Sequence, residues 1–449
     1  MILTKPWTHE YRRFLKTLLF LTIPIVLQEF LNALVNVIDS FMIGQLGENE
    51  INAVGFSNEL FFLYVVFIFG ITSGCSIFMG QFWGKRDTKN IRKVIGICFI
   101  FSLLLSLVFA TVAFVFPERF ISFYSMKPEV IALGAQYLRV LGASYLVTSL
   151  TVTFNAALRC IGQTKIPMCT TIVALLTNAA LNYLFIFVFG WGVVGAALAT
   201  AIARCAELIA QCYIIFAYKL PIAAKIKQYF SFDKQFLKTI GLAIVPVFLN
   251  EAVWAVGMTL YNVAYRATGN EAQAAVQISA AVQRLFMVIG FGIGAGSGIM
   301  IANTLGMGER ADAQKHAWRC LALSVAVSVL MGACLVLFAP FILSSYNVSD
   351  VVKDSAFKIM CVIAVAMAFK TFNYTAIVGI LRNGGDTKFC LLLDAGCAWL
   401  IGVPAAFLGA QVFHLPIYVI VALVSCEELA KFFFTFWRIR LSKWVKCVV

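Results

Sequence analysis

The sequence contains twelve apolar runs, each long enough to form a helix that crosses a lipid bilayer. A transmembrane helix needs about 20 mostly apolar residues to cross a hydrocarbon layer roughly 30 Å thick. Charged residues make up 12% of the chain, about half the ~25% of soluble domains, so the polar helix faces that a soluble protein needs are missing. We therefore predict an all-α polytopic membrane protein with twelve transmembrane helices. The runs lie near residues 15–43, 51–81, 94–116, 130–157, 166–189, 193–217, 236–266, 273–304, 316–338, 353–380, 389–412 and 416–437.

Basic residues between the runs predict the orientation of the chain. When the ends of the runs are assigned alternately to the two sides, 25 of the 35 lysines and arginines fall on one side. By the positive-inside rule this side is cytoplasmic, and it carries both termini. We expect a multi-pass protein of the cytoplasmic (inner) membrane. Because the net charge of +14 sits in these short blocks, it does not predict a nucleic acid partner.

The two halves of the chain repeat each other at a shift of 222–223 residues. The loop L-R-C-I-G-Q-T-K at 158–165 aligns with L-R-N-G-G-D-T-K at 381–388, and Glu29 aligns with Glu251. An ordered series of matches of this kind is not expected by chance between two apolar segments. Further matched pairs are Pro24 with Pro246, Gly47 with Gly269, Ala53 with Ala275, Gly70 with Gly292, Gly74 with Gly296 and Gly84 with Gly306.

The repeat predicts the domain organisation. Six helices per half is an even number, so both halves enter the membrane in the same sense. We expect them to be related by a pseudo-twofold axis along the membrane normal. The predicted parts are an N-terminal six-helix bundle at 1–218, a cytoplasmic linker at 219–235 and a C-terminal six-helix bundle at 236–449.

Polar residues within the first run are candidates for function. On insertion scales an ionised residue at mid-membrane costs on the order of 2.5–3.5 kcal/mol. Glu29, Asn32, Asn36 and Asp39 are spaced by three, four and three residues, so they form one stripe on a helix. A stripe of this kind is expected to face the interior of the bundle. It indicates either a functional site at Asp39 or a structural hydrogen-bond seam between helices.

The fifth and sixth runs add neutral oxygens to this carboxylate. Asn178 and Asn182 lie one turn apart in the fifth run, and Thr200 lies in the sixth. Neutral oxygens around the carboxylate of Asp39 suit Na⁺, and a lone carboxylate among neutral groups can equally bind a proton. The residues leave both coupling ions open, and they predict no other metal and no cofactor.

Polar and aromatic side chains of the second half predict a cavity wall suited to cations. Glu251 supplies a negative charge, and aromatic ring faces attract cations. The alternative is that Glu251 only fixes packing through an ion pair with Arg284 or Lys370. The expected substrate is a small amphipathic organic cation. The residues expected to line its cavity are Glu29, Asn32, Asn36, Asn155, Glu251, Trp254, Tyr261, Gln283, Arg284, Lys370, Asn373 and Tyr374.

Over essentially its full length the chain resembles the multidrug and toxic compound extrusion (MATE) transporters. The resemblance is carried by Pro24 followed by I-D-S-F-M-I-G-Q-L-G at 38–47, by the glycine-ended second and eighth runs, and by the paired L-R-x-x-G-x-T-K loops. It implies two six-helix bundles in a V. It also implies a secondary active antiporter that exports drugs or metabolites in exchange for Na⁺ or H⁺ by alternating access, and that we expect to act as a monomer.

The resemblance also implies residue roles. One bacterial branch binds its cation with a first-span Asp, two polar residues of the fifth span and a Thr of the sixth. These positions fall on Asp39, Asn178, Asn182 and Thr200, with Asn182 standing where some members have a second acid. Another branch couples through a seventh-span Glu and a tenth-span acid. This chain has Glu251 but no acid in the tenth run, which favours the N-terminal site.

Other function classes fit the sequence less well. A lipid-linked sugar flippase of the same superfamily is the main alternative, because Arg204, Arg284 and Lys370 offer cationic groups for a diphosphate. The three histidines show no metal-site or catalytic-triad spacing, so we expect no enzyme. They are His9, His316 and His414.

Overall fold

The computed structural model describes residues 5–346 and 348–449, and the regular structure of these residues is helical. Twelve long helices follow one another, as the sequence predicts. Short helices at Pro117–Ser122 and Ile226–Tyr229 lie in the connections. The long helices are α1 (Lys5–Gly44), α2 (Glu48–Gly84), α3 (Thr88–Val115), α4 (Pro128–Cys160), α5 (Lys165–Val188), α6 (Gly192–Ala217), α7 (Lys234–Arg266), α8 (Asn270–Gly306), α9 (Arg310–Ser344), α10 (Asp350–Tyr374, continued as a π-helix over Thr375–Leu381), α11 (Thr387–Val412) and α12 (Ile417–Arg440).

The surface of these helices has the character expected in a membrane. Among the described residues, ten helices are long and apolar enough to cross a bilayer. Large apolar side chains such as Phe41, Phe341 and Leu400 are exposed along them, which is unusual for a protein surface in water. The other two long helices are α10 and α12, and α12 carries three charged residues near its middle. The fold is therefore that of an all-α polytopic membrane protein.

The described chain divides into two compact units. Unit 1 comprises the chain up to Val26 together with Leu249–Val449, and unit 2 comprises Leu27–Phe248. This division differs from the predicted bundles at 1–218 and 236–449 because two helices are shared. The first part of α1 belongs to unit 1, and the first part of α7 belongs to unit 2.

Apolar packing explains why the first part of α1 belongs to unit 1. Phe14, Leu18, Leu21 and Ile25 form one buried cluster with residues of α8 and α9. The ring of Phe14 stacks on His316 with centroids 5.4 Å apart. These side chains recur every three or four residues, so they form one apolar face of the helix.

A glycine at the same position of each repeat allows two helices to approach closely in each unit. In unit 2 a side chain at Gly74 would meet the backbone of Ile244 at 3.0 Å, and in unit 1 one at Gly296 would collide with Thr22. Because Gly74 aligns with Gly296, and Thr22 aligns with Ile244 at the same shift, both units use the same close helix contact. Glycine is required there because a larger residue would force the helices apart.

The chain end after α12 packs against the loop that follows α10. Trp444 is fully buried, and a side chain at Gly384 would collide with it. Asp386 Oδ2 accepts a hydrogen bond from Arg438 Nε at 2.7 Å, and its Oδ1 accepts one from Lys446 Nζ at 3.0 Å. In the first repeat the residue aligned with Asp386 is Gln163. The second L-R-x-x-G-x-T-K loop thus differs from the first at a residue that binds the segment after α12.

We expect Asp386→Asn to lower the free energy of unfolding by about 1–2 kcal/mol at neutral pH, because it removes two charge-assisted hydrogen bonds. Burial acts to raise the pKa of Asp386, but the bonds from Arg438 and Lys446 outweigh it and hold the pKa below its usual range. The contribution is therefore complete above the unfolded pKa of about 4 and is lost as the pH falls through the lower folded value. Thermal unfolding in detergent at neutral and acid pH measures this difference.

The control for Asp386 is Asp354→Asn, which changes a carboxylate that is 60% exposed. We expect it to cost less than about 0.5 kcal/mol at either pH. Equal losses for the two variants, or a loss for Asp386→Asn that persists unchanged in acid, would contradict the anchoring role.

Candidate functional site

The four residues predicted to bind the coupling cation lie together in unit 2. The Asp39 carboxylate accepts a short hydrogen bond from Asn182 Nδ2. Asn182 Nδ2 also lies 3.2 Å from Asn178 Oδ1, and Asn178 Nδ2 donates to Thr200 Oγ1 at 3.2 Å. The structure thus joins α1, α5 and α6 by a chain of polar side chains that ends on one carboxylate. We call these four residues the Asp39 site.

Local helix geometry positions the two asparagines. Asn178 and Asn182 are one turn apart on α5 and are fully buried. Directly after Asn182, α5 widens into a π-helix over Tyr183–Val188. Such π-segments inside α-helices are rare and frequently occur at functional sites.

The donor set of the Asp39 site consists of oxygen atoms. Asn182 Oδ1 is buried and has no hydrogen-bond partner among the described residues. A carboxylate, a free amide oxygen and a hydroxyl are hard ligands that fit Na⁺, as they do other hard cations. The same carboxylate can take up a proton. Within the described part of the chain no group of three or more His, Cys, Asp or Glu residues is placed to hold a metal ion.

The other end of the first-run stripe belongs to a second network. Arg159 Nη2 lies 3.1 Å from Glu29 Oε1 and 2.6 Å from Gln28 Oε1. Gln28 Nε2 donates to Thr171 Oγ1 at 3.1 Å, and Thr171 donates to Glu207 Oε1 at 3.2 Å. Glu29 and Asp39, the two ends of the stripe, therefore take part in separate polar networks of unit 2.

The remaining predicted cavity residues of unit 2 have different surroundings. Between the ends of the stripe, Asn32 is half-buried and Asn36 is exposed. Asn155 is half-buried, and its Oδ1 accepts a hydrogen bond from Gln211 Nε2 at 2.7 Å. The structure therefore brings the Asp39 site together more completely than the cavity wall predicted around it.

In unit 1 Glu251 forms a buried ion pair with a partner that the sequence analysis did not name. Its Oε1 lies 2.7 Å from Nη1 of Arg382, which is almost fully buried. The alternative in which Glu251 pairs with Arg284 or Lys370 is wrong about the partner, because the loop after α10 delivers Arg382. Arg284 is exposed and Lys370 half-buried. The Glu251–Arg382 pair repeats the Glu29–Arg159 pair at the shift that relates the halves.

A larger charged group lies beside this pair, and we call it the Lys431 cluster. Lys431 Nζ lies 2.5 Å from Glu427 Oε1 and 3.2 Å from Asp394 Oδ1. Asp394 Oδ2 accepts a hydrogen bond from Asn250 Nδ2 at 3.0 Å, and Glu427 accepts a short one from the Tyr261 hydroxyl. The cluster comprises Lys431, Glu427, Asp394 and Glu428. The Oε2 of Glu428 accepts a hydrogen bond from Asn373 Nδ2 at 2.8 Å.

Two predicted cavity residues, Tyr261 and Asn373, thus bind this cluster. The other predicted wall residues of unit 1 are more open. Trp254 is exposed, Gln283 and Tyr374 are half-buried, and the Tyr374 ring lies 4.7 Å from the ring of Phe291.

The sequence analysis missed Asp394 as a functional candidate. Its signal is a carboxylate inside the eleventh apolar run, at the position that aligns with Thr171. The path Gln28–Thr171–Glu207 of unit 2 has its counterpart in Asn250–Asp394–Lys431 of unit 1, where Lys431 lies one residue beyond the position that aligns with Glu207. At the last step the sign of the charge is reversed.

Comparisons with known proteins agree with the fold and with the repeat. A family model described as MatE matches residues 24–184 and 246–408, and the two matched segments begin at the aligned prolines. The chain is 26% identical over 401 residues to the uncharacterized transporter YisQ of Bacillus subtilis (strain 168), which covers 87% of each chain. It is 25% identical over 407 residues to the probable multidrug resistance protein YoeA of the same strain, covering 88% of this chain and 87% of YoeA.

Solved structures resemble the whole chain. A MOP superfamily transporter from Pyrococcus furiosus, described as having a binding pocket of reverse polarity, superposes with a TM-score of 0.87 at 20% identity, covering 95% of this chain and 96% of that one. An outward-facing multidrug resistance MATE family transporter superposes equally well at 21% identity, with the same coverage. At these identities the likeness concerns the fold.

Proposed function

The chain belongs to the MatE family of membrane transporters, and we propose that it is a secondary active antiporter that exports small organic compounds in exchange for Na⁺ or H⁺. The observation that carries this proposal is the Asp39 site. It holds a single carboxylate, hydrogen-bonded to buried neutral side chains within the membrane-spanning part of unit 2. A carboxylate within a membrane-spanning helix is costly and is usually retained for function.

Coupling requires that the cation and the substrate favour different conformations. A ligand shifts a conformational equilibrium only by its difference in affinity for the two states, and the linkage between two ligands is reciprocal. A cation bound at Asp39 would change the charge of the site and its hydrogen bonds to α5. We infer that this change alters the packing of α1, α5 and α6 and thereby the access of the substrate.

The substrate class is inferred to be amphipathic organic cations. Relatives named as probable multidrug resistance proteins support small drug-like compounds as substrates, and the positive charge is inferred from the residues of this chain. The Lys431 cluster holds more carboxylates than ammonium groups, which favours positively charged ligands in its neighbourhood. The flippase alternative gains little support, because Arg204 is paired with Glu207 at 2.9 Å. We propose that the protein acts as a monomer in the cytoplasmic membrane, with both termini in the cytoplasm.

Transport by purified protein in sealed vesicles tests the proposal. A fluorescent organic cation such as ethidium would be supplied, and proton and sodium gradients would be imposed separately. We expect one of the two gradients to drive accumulation of the dye against its own gradient. Accumulation with neither gradient imposed, or none with either, would contradict cation-coupled export.

The neutral ligands of the Asp39 site predict a difference between the two ions. We expect Asn178→Ala and Thr200→Ala to raise the sodium concentration for half-maximal transport about tenfold, since losing one ligand oxygen costs on the order of 1 kcal/mol. Proton-driven transport should change less, because these groups do not titrate. A matched control is Asn155→Ala, which removes an amide that is bonded to Gln211 and not to the Asp39 site. Equal effects of all three variants would contradict the ligand assignment.

A further inference from the structure

The Lys431 cluster has an imbalance of charge. Asp394, Glu427 and Glu428 are three carboxylates, and Lys431 supplies the one ammonium group of the cluster. This group is bonded to Asp394 and Glu427 and interacts electrostatically with Glu428. The side chains of Glu427 and Lys431 are only 8% and 5% exposed. With every group ionised the cluster would carry two uncompensated negative charges in a low-dielectric interior, which is strongly unfavourable. A further cation is therefore expected to bind there.

The position of Lys431 favours a proton over a metal ion. Its ammonium group bridges Glu427 and Asp394, and so it occupies the place that a metal ion would take between them. When one of the two carboxylates is protonated, the ammonium group stays paired with the other. The cluster can thus change its protonation state without leaving Lys431 unpaired, which a simple ion pair could not do.

Asn250 provides a separate indication. Its Nδ2 donates to Asp394 Oδ2 at 3.0 Å, while Oδ1 of the same carboxamide is buried and has no hydrogen-bond partner in the described part of the chain. The residue is 97% buried, since only 3% of its surface is exposed. An ionised Asp394 can only accept hydrogen bonds, whereas a protonated Asp394 can donate one. Rotation of the carboxamide would then offer Oδ1 as the acceptor.

We propose that Asp394 binds an exchangeable proton and that this makes unit 1 a second proton site, separate from Asp39. Water supplies the proton to Asp394, whose side chain is 16% exposed and is the more accessible of the two carboxylates that share the ammonium, since that of Glu427 is 8% exposed. In the protonated state Asp394 donates to Asn250 Oδ1, and Lys431 pairs with Glu427. Release of the proton restores the bonds seen in the structure. The proposal does not depend on the proposed function, because binding of a proton is measurable without transport.

The charged and titratable groups around Asp394 come from four segments. Glu251 and Arg382 form a pair whose charges cancel. The nearest charges that remain are those of α12. The groups that interact with Asp394 are Glu251 of α7, Arg382 after α10, Cys390 and Cys397 of α11, and Lys431 of α12. Glu427 and Glu428 interact with Lys431, and Tyr261 with Glu427.

Infrared difference spectroscopy of the purified protein tests this proposal. Lowering the pH should produce a carbonyl band of a protonated carboxylic acid. We expect Asp394→Asn to lose one component of this band and Asp394→Glu to retain it at a shifted frequency. Asp354→Asn is the control, since that carboxylate is exposed and paired with Lys358 outside the cluster. Asp39→Asn should keep the Asp394 component, which separates this proposal from the assignment of Asp39.

Three results would overturn the proposal. The first is a spectrum of Asp394→Asn that equals that of the unmodified protein. The second is loss of the Asp394 component on addition of Na⁺ at constant pH, which would make the cluster a sodium site. If Asp394→Asn does not fold, Lys431→Gln provides the third test. Removing the ammonium should allow half-protonation at about a tenfold lower proton concentration, and an unchanged concentration contradicts the proposal.

Discussion

Replacing Asp39 with Asn is expected to abolish gradient-driven export while leaving substrate binding measurable. Asn has nearly the same shape, and its Oδ1 can still accept the hydrogen bond from Asn182. It cannot bind a proton or supply the negative charge that a sodium ion needs. The variant should therefore lose the link between the cation gradient and the substrate, and accumulation in vesicles should fall to the passive leak. Binding of ethidium, followed by its fluorescence, should persist.

The matched control for this experiment is again Asp354→Asn, which makes the same chemical change at an exposed position of α10. It should transport at the rate of the unmodified protein. If Asp39→Asn still concentrates the dye at the native rate, the coupling carboxylate lies elsewhere, and unit 1 becomes the place to search for it. If both variants lose transport, the loss reflects the general effect of the substitution and not the cation site.

Replacing Arg382 with Ala is expected to lower the free energy of unfolding by about 3–5 kcal/mol, because it leaves Glu251 buried without its partner. The aligned change, Arg159→Ala, should cost only about 1 kcal/mol, since Arg159 and Glu29 retain 24% and 39% side-chain exposure and water can replace the lost contact. The double variant Glu251→Ala with Arg382→Ala should be more stable than Arg382→Ala alone. Thermal unfolding of detergent-purified variants measures all three quantities.

Two outcomes would contradict this view of the ion pair. Equal costs for Arg159→Ala and Arg382→Ala would mean that burial does not set the difference. A double variant no more stable than Arg382→Ala would mean that the loss comes from packing of the arginine side chain and not from the unpaired charge of Glu251.

The arrangement at Asp39 could be predicted because each residue sits at a position that helix geometry and the family motif both define. Asn178 and Asn182 are one turn apart, and a costly carboxylate in an apolar run must find polar partners. The ion pairs could not be predicted in the same way. The sequence marks Glu29 and Arg159 as repeated features, but they are 130 residues apart, and helix periodicity does not say which residues meet across a bundle.

Asp394 and the shared helices were missed for a related physical reason. A functional carboxylate can be recognised in a sequence when polar residues on the same helix form a stripe with it. The partners of Asp394 come from other helices, α7 and α12. The domain boundary was placed in the basic linker because composition changes there. The boundary of packing is set instead by the apolar faces of α1 and α7, which look like those of any other membrane helix in the sequence.

The shared helices have a consequence for how the protein is made. The part of α1 up to Val26 leaves the ribosome before the residues that bury Phe14, Leu18 and Ile25, because these belong to α8 and α9. By contrast, the rest of unit 2 has already been synthesised when the segment Lys234–Phe248 emerges. During translation unit 2 can therefore pack as soon as the first part of α7 emerges. The first part of α1, in contrast, lies in the membrane with its apolar face unpacked until α8 and α9 have been synthesised.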